Sequence, residues 1–247
     1  MKEKIIEICC VNYKDCIHAE MCGADRIELC ASMAAGGLTP SLGVFQMVKE
    51  HVHIPVMVMI RPRGAGFCYH DYEFEIMKRD TEIFLSNGAE GCVFGILNAD
   101  KTVDRTRTEE LAAIIHKYGK EAVFHRAFDE CPNKEQAIQE LIACGIDRIL
   151  TAGGQGNADE HLDDLKRWQD TYGEQIQLQV CGSIRSHNAM SIMKQIGFDQ
   201  VHSACRSFHQ DASDEPAQNL GYHNAYDCVD ETECRRFVDC LRKSCGC

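Results

Sequence analysis

Several apolar runs in the chain pass into ionisable side chains. Arg26-Ile27-Glu28-Leu29-Cys30, Met57-Val58-Met59-Ile60-Arg61 and Val123-Phe124-His125-Arg126 each join strand-forming residues to a charge or an imidazole. A buried strand that ends this way needs partners or a ligand, because an unpaired buried charge is costly. Glu7, Glu28 and Asp129 supply carboxylates, His125 a group titrating near neutrality, and Arg61 and Arg126 contacts for an anion. Brought to one place, such groups suit general acid–base chemistry, which requires partners with separated pKa values. An ion-pair network closing the same region is the structural alternative. Gly153, Gly154 and Gly182 add backbone that a phosphate could approach, although glycines also serve plain turns. His202 ends a further run and fits either a pocket wall or a satisfied core.

A second chemistry is soft. Strand side chains alternate between faces, so Glu7 shares a face with Cys9, Glu28 with Cys30, and Met59 with Arg61. Neighbouring strands lie roughly 4.8 Å apart, which puts Cys9 and Cys30 within reach of each other. With Met57 and Met59 they form a sulfur set suited to Cu(I). The same residues also serve as small buried hydrophobes.

These positions require strands that end on one face of the fold. Strands are expected to begin near Ile5, Arg26, Pro55, Gly91, Glu121, Asp147, Gln177 and Gln200, at intervals typical of βα units. Helices are expected over 15–22, 41–50, 72–87, 108–118, 133–144, 186–196 and 231–243. Five of them stop at Gly23, Gly88, Gly119, Gly145 and Gly197, the residue that most cheaply adopts the left-handed cap. Eight strand–helix units with right-handed crossovers close into a single (β/α)8 TIM-type barrel, an α/β fold whose strand ends carry the active site. A doubly wound sheet would want a glycine-rich first turn, and Cys9-Cys10-Val11-Asn12 is not one. One domain over 1–247 follows, with a long loop at 206–227 between strand eight and the last helix and a cysteine-containing tail at 244–247.

Composition narrows the function. The 247 residues are 45% hydrophobic and carry a formal charge of −12, with 38 acidic against 26 basic side chains and no basic run. That argues against nucleic-acid binding. No apolar stretch has the length to span a bilayer, and Lys2-Glu3-Lys4 ahead of Ile5 reads as the lead into a strand rather than a secretion signal. The 16 cysteines, several within strands, are expected to be reduced thiols in a cytoplasmic protein. Neither a C-x-x-C nor an H-E-x-x-H zinc motif occurs; Cys245-Gly246-Cys247 is a further soft pair.

Glu28-Leu29-Cys30, Gly36-Gly37-Leu38-Thr39-Pro40-Ser41, Met59-Ile60-Arg61-Pro62-Arg63 and Val93-Phe94-Gly95 resemble the CutC family, named for copper homeostasis. So do Phe124-His125-Arg126-Ala127-Phe128-Asp129 and Arg148-Ile149-Leu150-Thr151-Ala152-Gly153-Gly154. The resemblance runs to about residue 203 and implies a TIM-type barrel, a homodimer or higher homo-oligomer, and cytoplasmic Cu(I) handling. By position it puts the copper cysteines at Cys9 and Cys30 and a polar cluster at Glu7, Glu28, Arg61, His125, Arg126 and Asp129. Two loops depart from the family pattern: Cys181-Gly182-Ser183-Ile184-Arg185 replaces a glycine run, and Thr151-Ala152-Gly153 replaces Thr-Ser-Gly. Two functions stay open, a Cu(I)-binding protein and a barrel enzyme acting on a small anionic or phosphorylated metabolite.

Overall fold

The computed structural model describes residues 4–212 and 225–242. Eight parallel strands close into a barrel in sequential order. They are β1 (Ile5–Cys10), β2 (Arg26–Leu29), β3 (Val56–Met59), β4 (Gly91–Phe94), β5 (Glu121–Phe124), β6 (Arg148–Thr151), β7 (Gln177–Val180) and β8 (Gln200–Ser203). The order β1 through β8, closed by β1 pairing with β8, leaves no edge strand in the barrel.

The helices outside it are α1 (Tyr13–Met21), α2 (Leu42–His51), α3 (Asp71–Ser86), α4 (Arg105–Lys117), α5 (Ala127–Glu130), α6 (Lys134–Ala143), α7 (Leu162–Tyr172), α8 (Ala189–Ile196) and α9 (Glu231–Arg242). Their starts follow capping chemistry: the side chains of Asn12, Ser41, Asp104 and Asn133 each accept from a backbone N–H of the first turn. Beyond the short helix α5, two further features go past the sequence reading. Helix α7 was not expected, because Asp163, Asp164, Lys166, Arg167 and Asp170 surround its apolar stripe of Leu165, Trp168 and Tyr172. The 206–227 segment is not wholly a loop: β9 (Arg206–Gln210) and β10 (Ala225–Val229) pair antiparallel at its ends. The 244–247 tail lies outside the described residues.

The apolar core fills the layer between barrel and helices, with Ile6, Ile8, Ile27, Phe45, Phe94, Phe124, Phe128 and Trp168 buried there. Inside the barrel a separate cluster gathers Cys9, Cys30, Met57, Met59, Val93 and Val123. Below it the lumen is polar. Arg26 and Arg148 both donate to Oε1 of Gln200, at 2.7 and 3.3 Å, and Arg148 also meets Glu121 at 2.9 Å. Arg148 is fully buried, and its pairing with Glu121, and with Glu7 at 3.9 Å, offsets part of the cost of desolvating its charge.

Candidate functional site

Strand register decides which groups meet. Cys9 on β1 lies beside Glu28 on β2, and Glu7 lies beside His202 on β8. The inward parity expected for Cys9 and Cys30 is therefore realised: their sulfurs lie 3.6 Å apart, both buried. One ligand atom each from Cys9, Glu28 and Cys30 lie within 4.8 Å of one another. The hydrogen bond to Cys30, followed by burial, pushes the Cys9 thiol well above its ordinary pKa, so it rests protonated near neutrality.

A proton-bearing chain runs beside the sulfurs. Nδ1 of His202 bonds Oε1 of Glu7 at 2.8 Å, and its Nε2 lies 4.0 Å from Glu28. Burial alone would raise the Glu7 pKa, but Arg26, His202 and Arg148 outweigh it and hold the carboxyl far below the usual range. Burial opposes the His202 imidazolium, yet Glu28 and Glu7 overcome it and the pKa rises. Glu28 goes up through desolvation, and its Oε1 has no hydrogen-bond partner among the described residues. Glu7, Glu28 and His202 also have cation-binding spacing. The guanidiniums of Arg26 and Arg148 against Glu7 disfavour a further cation there, leaving the sulfur pair as the better metal donor set.

The other expected residues divide by role. His125, at the end of β5, lines the mouth cavity; its Nδ1 accepts from the Ala127 N–H at 3.1 Å and its Nε2 is buried without a partner among the described residues. Burial and then the Arg61 charge push its pKa down to about 3, so the imidazole is neutral at physiological pH. Arg61 is not in the cavity wall. Its guanidinium is committed to the carbonyls of Ala35, Gly37 and Ala65 at 2.7, 3.0 and 2.6 Å, clasping two mouth loops. Asp129 is likewise a brace, accepting from Thr151 and from the Ala152 N–H at 3.1 Å while pairing Arg126 at 2.7 Å. Burial raises its pKa despite those contacts.

Gly182 lines the cavity, whereas Gly153 and Gly154 pack under His161. A Cβ on Gly153 would come within 2.3 Å of the His161 Cβ, and its φ of +91° is glycine territory. These two glycines thus serve a turn. Sequence reasoning did not include Arg26, Arg148 and Arg185 among the site residues. Arg26 shares inward parity with Glu28, but it and Arg148 open their strands, where a charge reads as a solvated end.

The cavity over these groups measures about 440 Å³ and reaches from Cys9, Cys30 and Met59 up to Arg185 and Arg206. With that geometry in view, the chain can be set beside known proteins. Residues 4–207 match the model of the CutC family. A CutC family protein of Treponema denticola is 41% identical over 225 residues, which is 91% of each chain. The human copper homeostasis protein cutC homolog is 39% identical, over 82% of this chain and 74% of its own length. The crystal structure of a CutC protein from Streptococcus agalactiae superposes with a TM-score of 0.77 at 32% identity, over 81% of this chain and 98% of that one.

Proposed function

The chain belongs to the CutC family, and from that premise we propose that it binds Cu(I) as cargo through Cys9 and Cys30. The observation that carries this reading is the buried thiol pair at 3.6 Å with Met57 and Met59 in the same cluster. Thiolate and thioether are soft ligands that select Cu(I) over harder ions. Metal–thiolate bonds are about 2.3 Å long, so a linear pair would want roughly 4.6 Å between sulfurs. The observed spacing favours a bent arrangement, open on one side to a third donor such as Met59. Both cysteines line the mouth cavity, which supplies a path for the ion. Because Cys9 rests as a thiol, loading must release a proton, and affinity should rise with pH.

The described cysteines are unpaired thiols, which supports a reducing, cytoplasmic setting. Among the described residues no helix is long and apolar enough to cross a membrane. A stripe of exposed Tyr72, Ile76 and Ile83 on α3 supports assembly into a homodimer or larger homo-oligomer.

Titrating the reduced protein with Cu(I) against a competing chelator should show about one tightly held ion per chain, tighter at pH 8 than at pH 6. The Cys9→Ser/Cys30→Ser variant should lose it and keep its fold. Undiminished stoichiometry in that variant would refute the assignment and shift attention to Cys245 and Cys247.

A further inference from the structure

A copper ion needs only the sulfur end of the cavity, and the remaining volume is of a size that takes a small organic ligand. We propose that the barrel mouth also binds a small anionic metabolite bearing a carbonyl or hydroxyl oxygen, its anionic group at Arg185 and its oxygen on Nε2 of His125.

The oxygen end rests on His125. The residue is 4% exposed, and the Ala127 N–H bonded to Nδ1 forces the imidazole proton onto Nε2. His125 is one of the side chains lining the cavity, and its buried Nε2–H has no partner among the described residues. A buried donor left unmade is costly, and an incoming oxygen atom satisfies it. Burial and the Arg61 guanidinium keep the ring neutral, so it serves as a fixed donor rather than an acid.

The anionic end rests on the loops after β7 and β8, where barrels of this architecture often hold phosphate. Arg185 and Arg206 line the cavity there and Arg126 lines it from the loop after β5, against Glu28 as the one lining carboxylate among the described residues. Arg126 pairs with Asp129 and Arg206 with Asp227. Arg185 donates to the Arg206 carbonyl at 2.9 Å and has no carboxylate partner among the described residues. Beside it Gly182 and Ser183 take φ of +88° and +56°, turning the backbone along the same wall. In a chain of net charge −12, a lining guanidinium with no carboxylate partner among the described residues marks a place where an anion is drawn in.

The test is calorimetric titration of the full chain with dihydroxyacetone phosphate, 3-phosphoglycerate, pyruvate and malate, with sulfate as the bare anion. At least one probe should bind saturably and more tightly than sulfate; phosphorylated probes alone would assign a phosphate end, pyruvate and malate alone a carboxylate end. His125→Leu and the loop variant Arg185→Gln should each weaken that probe at least about tenfold, the loss expected for a hydrogen bond involving a charge or a buried donor. The Cys9→Ser/Cys30→Ser variant should bind it as the unaltered chain does, which separates this site from the copper assignment. No probe binding more tightly than sulfate, binding unchanged in Arg185→Gln, or binding lost in the double cysteine variant would each overturn the proposal.

Discussion

Replacing Glu7 by Gln tests whether the lumen network holds the barrel together. The carboxylate is 1% exposed, pairs Arg26, lies 3.9 Å from Arg148 and accepts from His202 at 2.8 Å. The amide keeps the volume but leaves Arg26 without its carboxylate partner among the described residues and Arg148 with Glu121 as its remaining one. Breaking a buried pair in this way costs about 3–5 kcal/mol. For 247 residues the unfolding entropy near the midpoint is about 0.5 kcal/mol per kelvin, so Tm should fall by about 6–10 °C. The pH dependence adds a second constraint. Glu7 has a depressed folded pKa, so its contribution is present above the unfolded value of about 4.3 and is lost only as the pH falls below it. His202 has a raised folded pKa, so its contribution is full below about 6.5 and is lost as the pH rises through the raised value. The stability gap between the unaltered chain and Glu7→Gln should therefore be widest near pH 6 and narrow toward pH 9. Thermal denaturation in reductant across that range measures both. A Tm change under about 2 °C at pH 6, worth roughly 1 kcal/mol, or a gap that widens with pH, would refute the reasoning.

Arg61→Ala should destabilise the chain by about 3 kcal/mol or more, because its charge serves three loop carbonyls; chemical denaturation checks it, and an unchanged midpoint would point to a ligand role instead. Gly153→Ala should cost about 2–4 kcal/mol from the left-handed φ and the clash with His161, visible as a lowered denaturation midpoint; a neutral result would show that the loop relaxes freely.

Much of the barrel was legible in residue order alone. Strand starts, glycine helix stops and cap residues are local signals, set by φ preferences and the first turn's unmet N–H groups. The inward pairing of Cys9 with Cys30 was legible as well, because side-chain parity is a property of any strand. Helix α7 was not, since its charged residues mask a stripe that only packing against the barrel makes visible. The roles of the charged groups were decided by tertiary structure. Arg61 and His125 both end strands, yet one is spent on carbonyls and the other lines the cavity with an Nε2 that has no partner among the described residues. Arg26 and Arg148 look like solvated strand starts but fill the lumen around Glu7, and His202 is committed by the register of β1 against β8. Sequence specifies which chemistry a residue carries and which face it takes. Which of several like charges is compensated depends on partners distant along the chain, which only closure of the barrel brings within range.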